Sequence, residues 1–274
     1  MNPLLKRSLS GIVYVGILLG GIWFSSWGFV AVLTLLQVMC LIEALTLLNL
    51  NRVLPRFLGF ALTIGLFVLA SRHFLGRIEL PTGVTPIMLS LGAAHVGIMI
   101  LLVFLKTEHL EIVPVRWAHA SLYTLLPFTL PLLIFTDLQN YPLYITATFV
   151  LIWTNDSFAY LSGKWLGKHP LASTISPNKT VEGFVGGALV TLATGLFVIP
   201  QFSPSMDGLT LLSMSLITGL GGTLGDLYES KLKRRMGLKD SGNLIPGHGG
   251  VLDRLDSFLF VMPLTSLYLY LFVL

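Results

Sequence analysis

The chain holds a single cysteine and very little charge, and each shortage closes off a class of protein. With Cys40 alone, no intrachain disulfide can form and no cysteine-based metal framework exists. Charged residues make up 11% of the 274 residues against 54% hydrophobic ones, and mean hydropathy is +0.82. That much apolar surface cannot be buried inside one water-soluble globule. HExxH, paired CxxC and Walker-type GxxxxGK[ST] motifs are also absent, which removes three common metal and nucleotide schemes. There is no convincing internal repeat, low-complexity tract or appended soluble domain.

What is present is a succession of apolar runs. A bilayer-spanning helix needs roughly 20 mostly apolar residues. The sequence therefore predicts an all-α polytopic membrane protein with about nine transmembrane helices, near 10–26, 28–49, 57–73, 84–105, 117–136, 142–163, 183–200, 208–228 and 255–273. The first run follows Lys6 and Arg7 as a signal peptide would. It continues through Ser25-Ser26-Trp27-Gly28 into a second apolar run with no small-residue cleavage site, and reads as a retained helical hairpin. Loops are short, so residues 1–274 form one membrane domain, with scaffold helices in 1–136 and the chemistry in 141–274.

Charge asymmetry sets the expected orientation. With a cytoplasmic N-terminus and nine spans, all of the 17 basic residues except Arg72 and Arg77 fall at cytoplasmic ends, as the positive-inside rule requires. The net charge of +4 is then a topology signal, and nucleic acid is not an expected partner.

Glu43 and His95 are the exceptions in an N-terminal part with few ionisable groups inside its spans. Each is either a functional intramembrane group or a structural one, Glu43 as a neutralised acid hydrogen-bonded between helices and His95 as a neutral ring in packing. Gly16 and Gly20 form a small-xxx-small pair that suggests close helix packing. From Tyr141 the character changes: Asp156, Glu182, Asp226, Glu229, Asp240, Asp253 and Asp256 all lie at the expected cytoplasmic ends or loops of the last four spans.

Asn155 and Asp156 interrupt an apolar helix, with Tyr160 and Lys164 following Asp156 at four-residue steps on one face. A carboxylate at that depth needs a partner: either a site cation or, alternatively, Lys164. In the next loop Ser176 is the expected N-cap and Pro177 the first helical residue, giving free backbone N–H groups beside Lys179 that suit a phosphate or serve as ordinary interfacial capping. Gly183 and Gly187 then suit close packing, letting another helix approach that loop. Further on, Gly219, Gly222 and Gly225 thin one side of a span, and Asp226, Glu229, Ser230 and Lys233 share a face. Lys231 and Arg235 read as interfacial anchors. Asp253 and Asp256, three apart, are neighbours on one helical face. Mg²⁺ is usually held by one or two carboxylates completed by waters and phosphates, so Asp226, Asp253 and Asp256 are candidate ligands, with Asp156 or Asp240 completing a second cation site.

The stretch SKLKRRMGLKDSGNLIPGHGGVLDRLDS, Ser230 to Ser257, resembles the signature of the phosphatidate cytidylyltransferases, also called CDP-diacylglycerol synthases. Ser230, Lys233, Arg234, Lys239, Asp240, Gly242, Pro246, His248, Gly249, Gly250, Asp253, Arg254 and Asp256 all fall at that family's spacings, and WTNDSFAY, ISPNKTVEGFVGG and GDLYES look like its other characteristic stretches. The resemblance covers roughly the last 120 residues; the N-terminal spans match only as apolar filler. It implies an enzyme of the bacterial inner membrane that joins CTP to phosphatidate, giving CDP-diacylglycerol and pyrophosphate with Mg²⁺ and a second cation such as K⁺. A homodimer is implied by the family alone.

On this reading Asp226, Asp253, Lys233 and Arg254 carry the chemistry, with Asp226, Asp253 and Asp256 on metal. Lys179, Lys233, Arg234, Lys239 and Arg254 hold phosphates. His248, Gly249 and Gly250 shape the nucleotide loop, and Asn155 and Asp156 face the lipid phosphate. Ser176, Asn178, Thr180, Ser230 and Asp240 complete the substrate-binding set. No general base is needed, because a phosphate monoester with a second pKa near about 6 is already largely dianionic at neutral pH. His248 is therefore not expected to act as one. Two other classes share the architecture: a CTP-dependent kinase of lipid alcohols, which would release CDP, and a secondary transporter, which usually shows inverted repeats and broken helices near the midplane.

Overall fold

A computed structural model describes residues 3–50, 53–104, 113–135, 140–242 and 249–274. The long helices are α1 (Pro3–Phe24), α2 (Ser26–Leu47), α3 (Val53–Phe74), α4 (Val84–Phe104), α5 (Val113–Ile134) and α6 (Tyr141–Leu166). A short hairpin, β1 (Pro170–Ala172) and β2 (Ser176–Thr180), leads into α7 (Val181–Ala193). A π-helical turn at Thr194–Val198 carries α7 on into α8 (Ile199–Phe202), and α9 (Gly208–Arg235) and α10 (Leu252–Phe272) complete the chain.

The all-α polytopic expectation holds. Among the described residues, six helical stretches are long and apolar enough to cross a bilayer: Ser26–Leu47, Val84–Phe104, Val115–Ile134, Val181–Phe202, Gly208–Arg235 and Leu252–Phe272. This is an integral membrane protein. The expected count of nine also includes α1, α3 and α6. α1 contributes an apolar stretch over Gly11–Phe24, whereas α6 is diluted by Asn155, Asp156 and Lys164.

α5 is the hub, packing against α2, α3, α4 and α10. Its Leu126, Phe128, Leu130 and Leu132 are fully buried. Phe258 on α10 joins it to α6, stacking on Phe149 at 4.9 Å and meeting Phe128 at 5.4 Å. The α1–α2 hairpin forms as expected, because Ser25 leaves the helical conformation and its Oγ accepts from the Gly28 N–H at 3.0 Å. The close approach there belongs to Gly21, where a Cβ would lie 3.0 Å from Cβ of Val32; Gly16 and Gly20 face open space, so the small-residue pair is not a packing seam. Trp23 and Ile22 then tie this hairpin to α6, through Trp23 Nε1 donating to Thr146 Oγ1 at 2.9 Å and Tyr141 Oη donating to the Ile22 carbonyl at 3.1 Å.

One local expectation is corrected. Ser176 and Pro177 do not start α7; they lie in β2, which pairs antiparallel with β1 (Pro170 opposite Thr180, Ala172 opposite Ser176). A two-stranded hairpin consists only of edges, so a proline without an N–H is tolerated in it. The helix starts five residues after Ser176, at Val181. Thr180 is its N-cap, extended at φ −119° and accepting from the Gly183 N–H at 3.1 Å. Glu182 in the first turn accepts from the backbone N–H groups of Lys168 and His169 at 3.0 and 3.2 Å and meets His169 Nδ1 at 2.6 Å, which holds the hairpin to the end of α7.

Candidate active site

The hairpin, α6, α7, α9 and α10 converge on a cavity of about 420 Å³. α6 supplies Asn155, Asp156, Tyr160 and Lys164 to its wall; β2 supplies Asn178, Lys179 and Thr180. From α9 come Thr223 and Asp226, and from α10 Asp253, Arg254 and Asp256. The elements meet this closely because glycines line the contacts. A Cβ on Gly183 would stand 2.7 Å from the Ala159 carbonyl oxygen, and one on Gly225 would stand 2.7 Å from the Asp256 carbonyl oxygen. The expected thin faces of α7 and α9 are thus the surfaces that bring α6 and α10 in.

Charge is paired across elements. Lys179 forms an ion pair with Asp226, whose other oxygen accepts from Ser230 Oγ at 3.2 Å. Lys233 lies 2.6 Å from Asp253 Oδ1 and 3.3 Å from Glu229, a carboxylate with no exposure at all. Asp253 also accepts from the Ser241 N–H at 3.2 and 3.0 Å and from the Gly250 N–H at 2.9 Å, so both its oxygens are engaged. Asp256 accepts from its neighbour Ser257 N–H at 2.7 Å and lies in the repulsive field of Asp226, Glu229 and Asp156. Ser257 Oγ sits 3.4 Å from Asp156 Oδ1 and donates to the Gly222 carbonyl at 3.1 Å. The alternative Asp156–Lys164 ion pair is not formed among the described residues.

A model of the "Cytidylyltransferase family" matches residues 5–272. The chain belongs to this family. A phosphatidate cytidylyltransferase of Staphylococcus aureus (strain COL) is 50% identical to it over 126 residues, 46% of this chain and 48% of the relative. Those of Staphylococcus saprophyticus and Staphylococcus haemolyticus are 48% and 45% identical over the same length. The chain spans about half the length of the relatives it matches.

Within this cytidylyltransferase-family fold, the cavity gathers half of the residues expected from sequence: Asn155, Asp156, Asn178, Lys179, Thr180, Asp226, Asp253, Arg254 and Asp256. Ser230 and Lys233 stand behind them as partners of Asp226 and Asp253. Others lie elsewhere. Arg234 donates to the Leu238 carbonyl at 3.2 Å, at the turn that ends α9, and Lys239 and Asp240 are exposed beyond it. Ser176 is half-buried in β2 rather than capping a helix. Gly249 has φ +86°, a left-handed conformation that favours glycine, and a Cβ there would lie 3.2 Å from Asp253 Oδ2. Gly250 packs on Glu43 instead of opening onto the cavity. His248 lies outside the described residues, as do Asn243 and Pro246.

Sequence reasoning missed Thr223, Ser241 and Ser257. Thr223 lies one turn before Asp226 on the same face, and Ser257 closes the motif directly after Asp256, so both had a positional signal. Ser241 had none. Lys231, expected as an interfacial anchor, donates to the Leu102 and Val103 carbonyls at 2.6 and 2.9 Å, at the end of α4. His95 packs on His119 with ring centroids 5.0 Å apart, which matches the packing reading.

For a cation, the donor chemistry fits. Among the described residues no three His, Cys, Asp or Glu side chains form a ready metal cage. Mg²⁺ does not require one, since one or two carboxylates and substrate phosphates usually hold it. Asp226, Asp253 and Asp256 all line the cavity, and the first two are already neutralised by lysine ammonium groups.

Proposed function

We propose that this chain transfers the cytidylyl group of CTP to phosphatidate, releasing pyrophosphate and forming CDP-diacylglycerol. The observation that carries this reading is the joint lining of one cavity by carboxylates (Asp156, Asp226, Asp253, Asp256) and cations (Lys164, Lys179, Arg254) where five elements of a membrane bundle converge. Two polyanions must meet for this reaction, and such a mixed lining answers their repulsion.

An oxygen of the phosphatidate phosphate forms a new bond to the α-phosphorus of CTP, and the bond from that phosphorus to the bridging oxygen of the β-phosphate breaks. Pyrophosphate leaves with the electron pair. The nucleophile is already ionised near neutral pH, so no side chain has to remove a proton. Lys179 and Arg254 on the cavity wall, with Lys233 behind Asp253, bind and orient phosphates. Asp226, Asp253 and Asp256 would hold Mg²⁺, which when bound supplies charge neutralisation and alignment of the phosphates. Asp156, across the cavity on α6, would complete a site for a second cation such as K⁺.

On this reading the cavity faces the cytoplasmic side of the inner membrane, which is supported by the basic residues Lys164 and Lys179 on its wall and the positive-inside rule. Purified protein given labelled CTP and phosphatidate in mixed micelles should yield CDP-diacylglycerol and pyrophosphate, with Mg²⁺ required. CDP as the released nucleotide would replace this reading with a lipid kinase. Asn178→Cys should react with an impermeant thiol reagent from the cytoplasmic side only; labelling from outside would reverse the orientation.

A further inference from the structure

α10 carries Asp253 and Asp256 yet has no local N-cap: Val251, the residue in that position, is itself helical (φ −69°, ψ −37°) and offers no side-chain hydrogen bond. The missing acceptor comes from the other end of the chain. Glu43, on α2 and only 3% exposed, accepts from the Val251 N–H at 3.1 Å and from the Leu252 N–H at 2.7 Å. Its Oε2 also meets Ser241 Oγ at 3.3 Å. A carboxylate on otherwise unpaired N–H groups at a helix start is electrostatically favoured there.

The backbone is shaped to admit this carboxylate. A Cβ on Gly242 would stand 2.5 Å from Glu43 Oε1 and 2.9 Å from its Cδ, and a Cβ on Gly250 would stand 2.6 Å from Oε2. Two glycines of the motif therefore make room for Glu43. Ser241 links the two acids: its hydroxyl reaches Glu43 while its N–H donates to Asp253. Glu43 consequently fixes both the start of α10 and the strand of loop that orients Asp253 toward Lys233.

We infer that Glu43 is a positioning residue for the reaction, acting through the α10 N-terminus and Ser241 to hold Asp253 in its working orientation. It touches no cavity wall, so its effect is on turnover rather than on substrate binding. The inference rests on the reaction proposed above, and its test separates the two.

Glu43→Gln keeps the shape but replaces one acceptor by an N–H₂ group facing N–H donors. It should lower kcat about 10- to 100-fold, the size typical of losing an orienting partner, with KM for CTP and for phosphatidate changed less than about threefold and the detergent-solubilised protein still folded. Gly242→Ala should show the same signature in the wild type. In a Glu43→Asp background, where the shorter side chain leaves space, the alanine should cost at least about threefold less activity than it does beside Glu43. Unchanged kcat in Glu43→Gln, a loss fully accounted for by unfolded protein, or additive effects of the two substitutions would overturn the inference. Hydrogen exchange gives a readout independent of any substrate: amides of 250–254 should exchange faster in Glu43→Gln while those of α6 do not. Faster exchange in a protein whose wild type fails to convert CTP and phosphatidate would uphold the tie and overturn the reaction; unchanged exchange overturns the tie.

Discussion

Glu43 of the N-terminal scaffold and the Asp156 and Asp256 carboxylates of the C-terminal cavity are satisfied in opposite ways. Glu43 on α2 is buried, yet donors from Ser241, Val251 and Leu252 occupy both its oxygens. Asp156 and Asp256, on α6 and α10, have one serine-derived contact apiece and face each other and Asp226 across a cavity. A carboxylate completed by the protein builds structure, whereas a group of them left mutually repulsive is arranged for something that arrives. The same contrast runs through the cations. Lys231 is used up on the carbonyls at the end of α4, while Lys179 and Lys233 hold carboxylates at the cavity.

The sharpest way to break this contrast is Asp226→Asn, which preserves shape and removes charge. Cytidylyl transfer should fall about 10²- to 10³-fold with little change in thermal unfolding midpoint, because the loss is electrostatic stabilisation of the reacting phosphates. An unchanged Mg²⁺ titration in this variant would take Asp226 out of the metal-holding set. Next in size is Lys179→Met. One charge-assisted hydrogen bond to a phosphate is worth about 1.5–3 kcal/mol, so kcat/KM for CTP should drop about 10- to 100-fold, measured by initial rates at saturating phosphatidate.

Scaffold substitutions should do the reverse. Gly21→Ala forces a methyl toward Val32 and should destabilise the protein by about 1–3 kcal/mol, with turnover per folded molecule unchanged. Smallest is Ser25→Ala, which removes the α2 cap and should cost about 1 kcal/mol in the same unfolding measurement. Lost activity per folded molecule in either would mean that scaffold and site are coupled beyond Glu43.

Much of this was legible in the sequence because apolar run length reports spans, and because residues three and four apart share a helical face. Asp226 with Ser230, and Asp253 with Asp256, are read that way. What stayed hidden depends on partners distant in the chain. Ser176-Pro177 carries a sound local signal for a helix start, but pairing with Pro170–Ala172 overrides it and moves the cap to Thr180. Gly250 looked like a phosphate-loop glycine, since nothing nearby announces a glutamate some two hundred residues away. Arg234 matched a motif spacing yet turned to the Leu238 carbonyl, because the turn that follows α9 folds that carbonyl back within reach of the guanidinium.

The two lysine–aspartate pairs at the cavity have a thermodynamic corollary. Lys179 and Lys233 are 23% and 12% exposed and already grip anionic oxygens in the resting state. On the proposed reaction, CTP phosphates would exchange one anion for another at each ammonium and free the carboxylates that would hold Mg²⁺, so few bulk ions need be displaced. Exchange at partly buried groups of this kind is screened less than at fully exposed ones. The affinity for CTP should accordingly depend less on ionic strength than the number of phosphates would suggest, and metal and nucleotide should bind with positive cooperativity.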